Sequence, residues 1–281
     1  MKISFVIIVI LVSVVISLGI WRLLDLIRNN AAAGKLKASV GGARNDFEPA
    51  LILDLPEPAQ RYFKFTIKPG TPIYIIVELS MTGKLGFGDK HTPNYRAMKA
   101  KQILAPPHGL VWRVNAGPIS GSDGFADGRS WTRFWLFNLL PVVRVENNAD
   151  HYRSAFGRVA AEGAFWVPAS LLPSDHVEWT AIDANTARAT LSYGDLRQDV
   201  EITVDEEGRP SQISIQRWSN ENAQKIFKEQ PFGGRLSNFQ EIDGYCLPAH
   251  VEGGNLFGTD EYFPFFVADI NQVHFPQKGA Q

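Results

Sequence analysis

Sulfur is scarce in this chain: its 281 residues include one cysteine, Cys246, and three methionines. A single cysteine excludes an intrachain disulfide and any zinc site built from several thiolates. Cys246 lies in the strand-like run YCLPAHV, where a small packed residue is the expected role. An excess of one charge is missing as well. The 28 basic and 29 acidic side chains leave a net charge of -1, which gives no electrostatic reason to expect nucleic acid as a partner. Catalytic signatures are also absent. There is no G-x-S-x-G elbow, no G-x-x-x-x-G-K-[ST] phosphate loop, no H-E-x-x-H and no G-x-G-x-x-G after a strand. The histidines (His91, His108, His151, His176, His250 and His274) are scattered, with no pair at metal-ligand spacing. The sequence therefore nominates no catalytic residue, no metal and no cofactor. Repeats, heptads and low-complexity blocks are lacking too.

What the chain does have begins at its amino terminus. Ile3 to Trp21 (ISFVIIVILVSVVISLGIW) is an uncharged run long enough to span roughly 30 Å of hydrocarbon. A signal peptide has a shorter core, with its small-residue cleavage site directly behind it. Here Ala31-Ala32-Ala33 lies ten residues beyond Trp21. The expectation is a retained single-pass anchor in the cytoplasmic (inner) membrane, with residues 1–28 as anchor and flanks. Arg22, Arg28, Lys35 and Lys37 outnumber the positive charges ahead of the run, which argues for a cytoplasmic body. Most one-helix amino-terminal anchors, however, export the domain they carry. The balance tips to the extracytoplasmic side.

Residues 29–50 (NNAAAGKLKASVGGARNDFEPA) are small, polar and glycine-containing, and read as a linker. A single domain is expected over 51–275 and a tail over 276–281. Pro58 opens a short helix, PAQRYFKF. Alternating apolar and polar residues then mark strands, as in Ile75, Val77, Leu79 and Met81 against Ile76, Glu78, Ser80 and Thr82. Further strands are read over 95–104, 110–116, 119–126, 130–137, 177–182, 186–193, 199–204, 212–218, 235–242, 245–252 and 262–275. Asp127-Gly128 and Asp243-Gly244 are two-residue hairpin signals.

One amphipathic helix interrupts the strands. Tyr152, Ala155, Phe156, Val159, Ala160 and Gly163 form an apolar stripe at 3.6-residue spacing, with Asp150 as its expected N-cap and Pro168 ending it. The fold class read from this pattern is mainly β (α+β): a curved antiparallel sheet or half-barrel packed on one major helix and preceded by a transmembrane helix.

The candidate site sits along the shoulder of that helix. His151, Arg158 and Glu162 fall on one side of the stripe, and Arg158 and Glu162 are an i,i+4 pair. That pair is either a solvated contact worth about 0.3–0.5 kcal/mol or part of a groove between helix and sheet. Asp123 shares parity with Ile119 and Phe125, and Arg217 with Ile213 and Ile215, so each points towards an apolar face. A buried charge demands a partner. Asp123 and Arg217 are expected to pair with the helix charges or to face a polar patch in a cavity, unless both lie at strand ends where parity loses meaning. Trp112, Trp131, Trp135 and Trp166 are the candidate aromatic lining for an apolar ligand. The alternatives for the aromatics are core packing or a surface resting on the bilayer.

Several segments resemble a family of bacterial proteins with a domain of unknown function, often preceded by one membrane helix. The resemblance rests on LPEPAQRYFKF (55–65), DGFADGRSW (123–131), AEGAFWVPASLLPSDHVEWTAID (161–183) and DGYCLPAHVEGGN (243–255), and it implies no catalytic residues. The strand-rich pattern around one helix is also similar, at the level of fold, to the LolA-like half-barrels of bacterial lipid and lipoprotein carriers. No lipobox cysteine comes after the apolar run, so a lipid-modified amino terminus is not expected. Together these readings predict a membrane-tethered, non-enzymatic module that binds an apolar or amphipathic ligand, such as a lipid, between sheet and helix. The alternatives are an envelope interaction domain, or an enzyme using a carboxylate, histidine and arginine cluster.

Overall fold

The computed structural model describes residues 2–40 and 45–276. Helix α1 spans Lys2–Val40, α2 Glu57–Thr66 and α3 Ala149–Trp166. Strands β1 (Val77–Gly86), β2 (Tyr95–Ala105), β3 (Gly109–Ala116), β4 (Ile119–Ala126), β5 (Arg129–Leu136) and β6 (Leu140–Glu146) precede α3. After it come β7 (Val177–Ala181), β8 (Thr186–Tyr193), β9 (Leu196–Val204), β10 (Pro210–Ser219), β11 (Lys228–Ile242), β12 (Tyr245–Asn255) and β13 (Phe263–His274).

All 13 strands join one sheet in the order β6-β5-β4-β3-β2-β1-β13-β12-β11-β10-β9-β8-β7, and every pairing is antiparallel. The sheet is therefore open, with β6 and β7 at its edges. Its curvature follows from what α3 touches. That helix contacts β5 at one side and β9 at the other, nine strand steps apart in the order. A flat sheet would separate those strands by roughly 43 Å, while a helix with its side chains is about 10–12 Å across. Only a sheet curled around α3 allows both contacts. The fold is the curved antiparallel sheet on one major helix that the pattern implies.

Close approach of α3 depends on its small residues. A Cβ at Gly157 would come within 2.8 Å of Gln198, and one at Gly163 within 2.8 Å of Pro106. Phe156, Val159, Ala160 and Trp166 fill the space between helix and sheet, each at most 1% exposed. Asp127-Gly128 and Asp243-Gly244 both have positive φ at the two central residues, as a type I′ hairpin turn requires.

Four local expectations are revised. Asn148, not Asp150, caps α3, its side chain accepting the backbone N–H of His151. Strand β6 is an element the pattern does not reveal, because Pro141 disguises it; an edge strand tolerates proline. Strand β11 starts at Lys228 rather than residue 235, since Pro231, Gly233 and Gly234 obscure its alternation. Most consequentially, residues 29–40 are helical rather than an irregular linker, and Asn29 and Leu36 are buried against the sheet. Asn29, Ala32, Ala33 and Leu36 recur at helical spacing, so packing sets a conformation that composition alone conceals. Residues 41–44 and most of the expected tail lie outside the described residues.

Candidate ligand-binding site

Register and alternation sort the side chains of β1–β5 onto two faces. Gln102, Trp112, Asp123 and Thr132 are successive cross-strand neighbours and face α3. The neighbouring positions Lys101, Arg113, Ser122 and Arg133 form a parallel row and face α1.

On the α3 face Asp123 meets the helix charges, as expected, and Arg217 does not. Arg158 donates through Nη1 to Asp123 Oδ2 at 2.9 Å and through Nε to Glu162 Oε1 at 2.6 Å. Gln102 donates to the other Glu162 oxygen. The guanidinium also lies 5.0 Å from the Trp112 ring centroid, so it is enclosed by two carboxylates and an indole. Burial alone would depress the Arg158 pKa, but Glu162 and Asp123 outweigh it and hold the group above its ordinary value. Arg217 is near the cluster but takes different partners: its Nε donates to the Ser154 carbonyl and hydroxyl at 3.3 and 3.2 Å. With no carboxylate partner among the described residues, its pKa is pushed down to about 10, chiefly by burial and then by the Arg158 charge.

His151 completes the group. Its Nδ1 lies 2.7 Å from Ser130 Oγ and its Nε2 2.9 Å from Thr132 Oγ1. A neutral imidazole suits this arrangement, because one ring nitrogen donates and the other accepts. Burial lowers the His151 pKa; Asp123 opposes that shift and Arg217 reinforces it. The acid–base pairing of histidine with carboxylate that an enzyme reading requires is not what this ring makes. Two polar atoms here, Asp123 Oδ1 and Trp112 Nε1, are buried with no hydrogen-bond partner among the described residues.

The four tryptophans expected to line one space are divided between the faces. Trp112 and Trp166 belong to the α3-side core, while Trp131 and Trp135 point the other way. Alternation along β5 is the reason, since Thr132 faces α3 and its neighbours must face α1. Trp135 Nε1 donates to Asp25 Oδ2 at 3.1 Å, and Trp131 Nε1 to Ser122 Oγ at 3.3 Å.

The α1 face holds a polar seam that sequence reading misses. Asp25 is fully buried and takes Arg144 Nη1 at 2.7 Å and Arg133 Nε at 3.7 Å. Glu146 binds both arginines from the other side, at 2.8 Å to Arg133. Asn29 donates to Ser122 at 2.9 Å, and Trp21 packs edge-on against Trp135 at 5.7 Å. The available signal was the helical spacing of Asp25, Asn29 and Leu36 directly behind the apolar run. For Gln102 the signal was its parity with Ala100 and Leu104 in β2.

Contacts also fix the direction of α1. Arg22 reaches Asn138 in the β5–β6 turn, whereas Lys35 reaches Asp127 in the β4–β5 turn at the opposite end. The apolar run Ile3–Ile20 therefore projects past the end of the sheet that carries the β5–β6 turn, its large side chains exposed. This is one helix long and apolar enough to cross a membrane. At the same end Phe137 is 71% exposed, and Leu140, Val142 and Val143 are exposed as well.

A groove of about 410 Å³ lies on this face, between α1 and β1–β4. Its lining includes Arg22, Leu26, Asn29, Lys99, Lys101 and Arg113. The corresponding space under α3 is occupied by Phe156, Val159 and Trp166, so α3 acts as the plug of the core. No group of three or more metal-ligating side chains occurs among the described residues.

These features define a class: an open antiparallel sheet curled around a plug helix and carrying a long apolar amino-terminal helix on its outer face. The chain belongs to a family of unknown function (DUF6544), whose model matches residues 45–268. No curated protein matches the chain. Among solved structures it is similar to a LolA superfamily protein from Nitrosomonas europaea, with 10% identity, 78% of this chain and 92% of that one covered, and a TM-score of 0.42. It is also similar to a domain described as an outer membrane lipoprotein-sorting protein from Vibrio parahaemolyticus, with 11% identity, coverage of 73% and 87%, and a TM-score of 0.36. Likeness at this level concerns the course of the chain only.

Proposed function

We propose that the protein is a single-pass membrane-tethered module that binds an apolar or amphipathic ligand between its sheet and a helix without chemically transforming it. The helix in question is α1, because α3 is packed as core. The observation that carries this reading is the continuity of α1. One unbroken helix passes from the exposed apolar run into a segment seated on the sheet through buried Asp25. Cleavage near Ala33 would strip Arg133 and Arg144 of that carboxylate. Loss of one member of a buried ion network is strongly destabilising, so the helix is retained as an anchor rather than removed as a signal. The groove beside it then lies next to the bilayer.

The test is the mature protein itself. Its mass should include residues 1–33, it should stay with membranes after alkaline extraction, and native mass spectrometry from mild detergent should show a bound lipid-sized ligand. A mature amino terminus beyond Ala33 overturns the tether. A ligand-free spectrum from membranes overturns the binding role. We further place the body on the extracytoplasmic side of the inner membrane, which a carboxy-terminal alkaline phosphatase fusion reports as activity.

A second reading, an envelope interaction domain, draws on the exposed Phe137, Leu140, Val142 and Val143. Because this hairpin lies at the end from which the apolar run departs, contact with the bilayer explains it more directly. A stable protein partner lost on Phe137→Ser would favour the interaction reading.

A further inference from the structure

We propose that the groove between α1 and β1–β4 holds the anionic headgroup of a glycerophospholipid from the surrounding bilayer, an inference that rests on the reading of α1 as a retained membrane helix. Charge is the first argument. Arg22, Lys99, Lys101 and Arg113 all line the groove, and no aspartate or glutamate does. The whole chain carries a net charge of only -1, so four cations around one opening are a local arrangement rather than a reflection of composition.

Pairing sharpens the point. Several cations of this face have carboxylates: Lys35 has Asp127, Lys37 has Glu78, and Arg133 and Arg144 share Asp25. None of the four groove cations makes an ion pair among the described residues. Arg22 is held by neutral groups, Ser120 and Asn138, each at 3.2 Å, and its Nε is buried without a partner. Arg113 is held by Asn30 at 2.7 Å. Neutral partners orient a guanidinium without cancelling its charge, which is the condition for binding a phosphate.

Depth is the third argument. Arg22 directly follows the apolar run, and Asn29 lies seven residues further along the helix, a rise of roughly 10 Å. The polar layer of one bilayer leaflet is about 5–8 Å thick. The Arg22 end of the groove therefore opens into the headgroup layer, where phosphodiesters are the abundant anions. Ser80 and Thr82 supply hydroxyls, and Leu26 supplies an apolar wall for the glycerol end of the lipid.

The test uses the full chain reconstituted in mixed phosphatidylcholine and phosphatidylglycerol nanodiscs. Lipid retained per protein is measured by native mass spectrometry, beside a Lys99→Gln/Lys101→Gln variant. Both lysines are exposed, so the variant keeps the fold, and thermal unfolding checks this. Wild type should retain phosphatidylglycerol in preference to phosphatidylcholine. The variant should weaken that preference roughly 30-fold at low salt, from about fivefold per lysine near an anionic surface. Equal retention of both lipids by wild type, or an unchanged preference in the variant, overturns the headgroup site while leaving the tether intact. Displacement of the lipid by inorganic phosphate at matched concentration also overturns it, in favour of a soluble-anion site. A wild-type chain recovered outside the membrane overturns the tether and this inference with it.

Discussion

The two faces of this sheet solve opposite problems with the same strands. Under α3 the sheet meets a helix of small residues and large rings, and the interface is tightly filled. Its polar groups are the Arg158 ion pairs with Asp123 and Glu162, His151 between Ser130 and Thr132, and Arg217 on Ser154. Against α1 the sheet meets a helix through Asp25, Asn29 and Arg22, so the interface is polar, partly open and rich in unmatched positive charge. Apolar packing makes the first face a unique core. On the second, directional hydrogen bonds to Arg133 and Arg144 set the register of a helix that hydrophobicity alone would let slide.

That contrast can be broken experimentally. The largest effect is expected on the α3 face: Trp166→Ala removes a fully buried ring and should cost about 3–5 kcal/mol, read by denaturant unfolding in detergent. A loss well under that would mean the space tolerates being emptied, as a ligand cavity would. Next comes Asp25→Ala on the other face, which should cost about 3 kcal/mol because Glu146 only partly compensates the buried Arg133 and the half-buried Arg144. If α1 merely rests on the sheet, this variant will unfold like wild type.

Arg158→Met should come third at about 2–4 kcal/mol, since it leaves Asp123 and Glu162 facing each other without a cation and both are partly screened by solvent. Restoring the charge with Arg158→Lys recovers only part of the loss, because lysine lacks the fork that reaches both carboxylates. The smallest effect concerns pH. The folded-state pKa of His151 lies below its ordinary 6.5, so the unfolded chain binds the proton more readily. Stability then rises with pH and is lost as pH falls below about 6.5 towards the folded value. A melting-temperature profile from pH 7.5 to 5.5 should be flatter in His151→Gln than in wild type, and identical slopes would show that the ring does not report on this cluster.

Much of the α3 face was legible in the sequence. Parity placed Asp123 and Arg217 on the inner surface, and helical spacing put Arg158 and Glu162 on one shoulder; alternation and 3.6-residue periodicity are properties of the chain itself. Two things escaped. Arg217 finds Ser154 rather than a carboxylate, because partner choice depends on distances set by how closely Gly157 lets the helix approach. Trp131 and Trp135 were grouped with Trp112 and Trp166 because aromatic density in sequence does not say which face each ring takes. The α1 face was almost wholly hidden. A segment rich in alanine, glycine and asparagine reads as linker until the surface that Asp25, Asn29 and Leu36 cover is known.

By itself the sequence determined the apolar run, the strand-rich body, the two Asp-Gly hairpins and the central helix, because each is fixed by residues within a few positions of one another. The tertiary structure alone decided that α3 is a plug, that α1 continues through residue 40 to grip the outer face, and that four distant cations meet around one groove. Those features join residues about a hundred positions apart, such as Asp25 with Arg133 and Arg22 with Ser120. Contacts at that range arise only when the helix docks on the assembled sheet, and no local pattern encodes that docking.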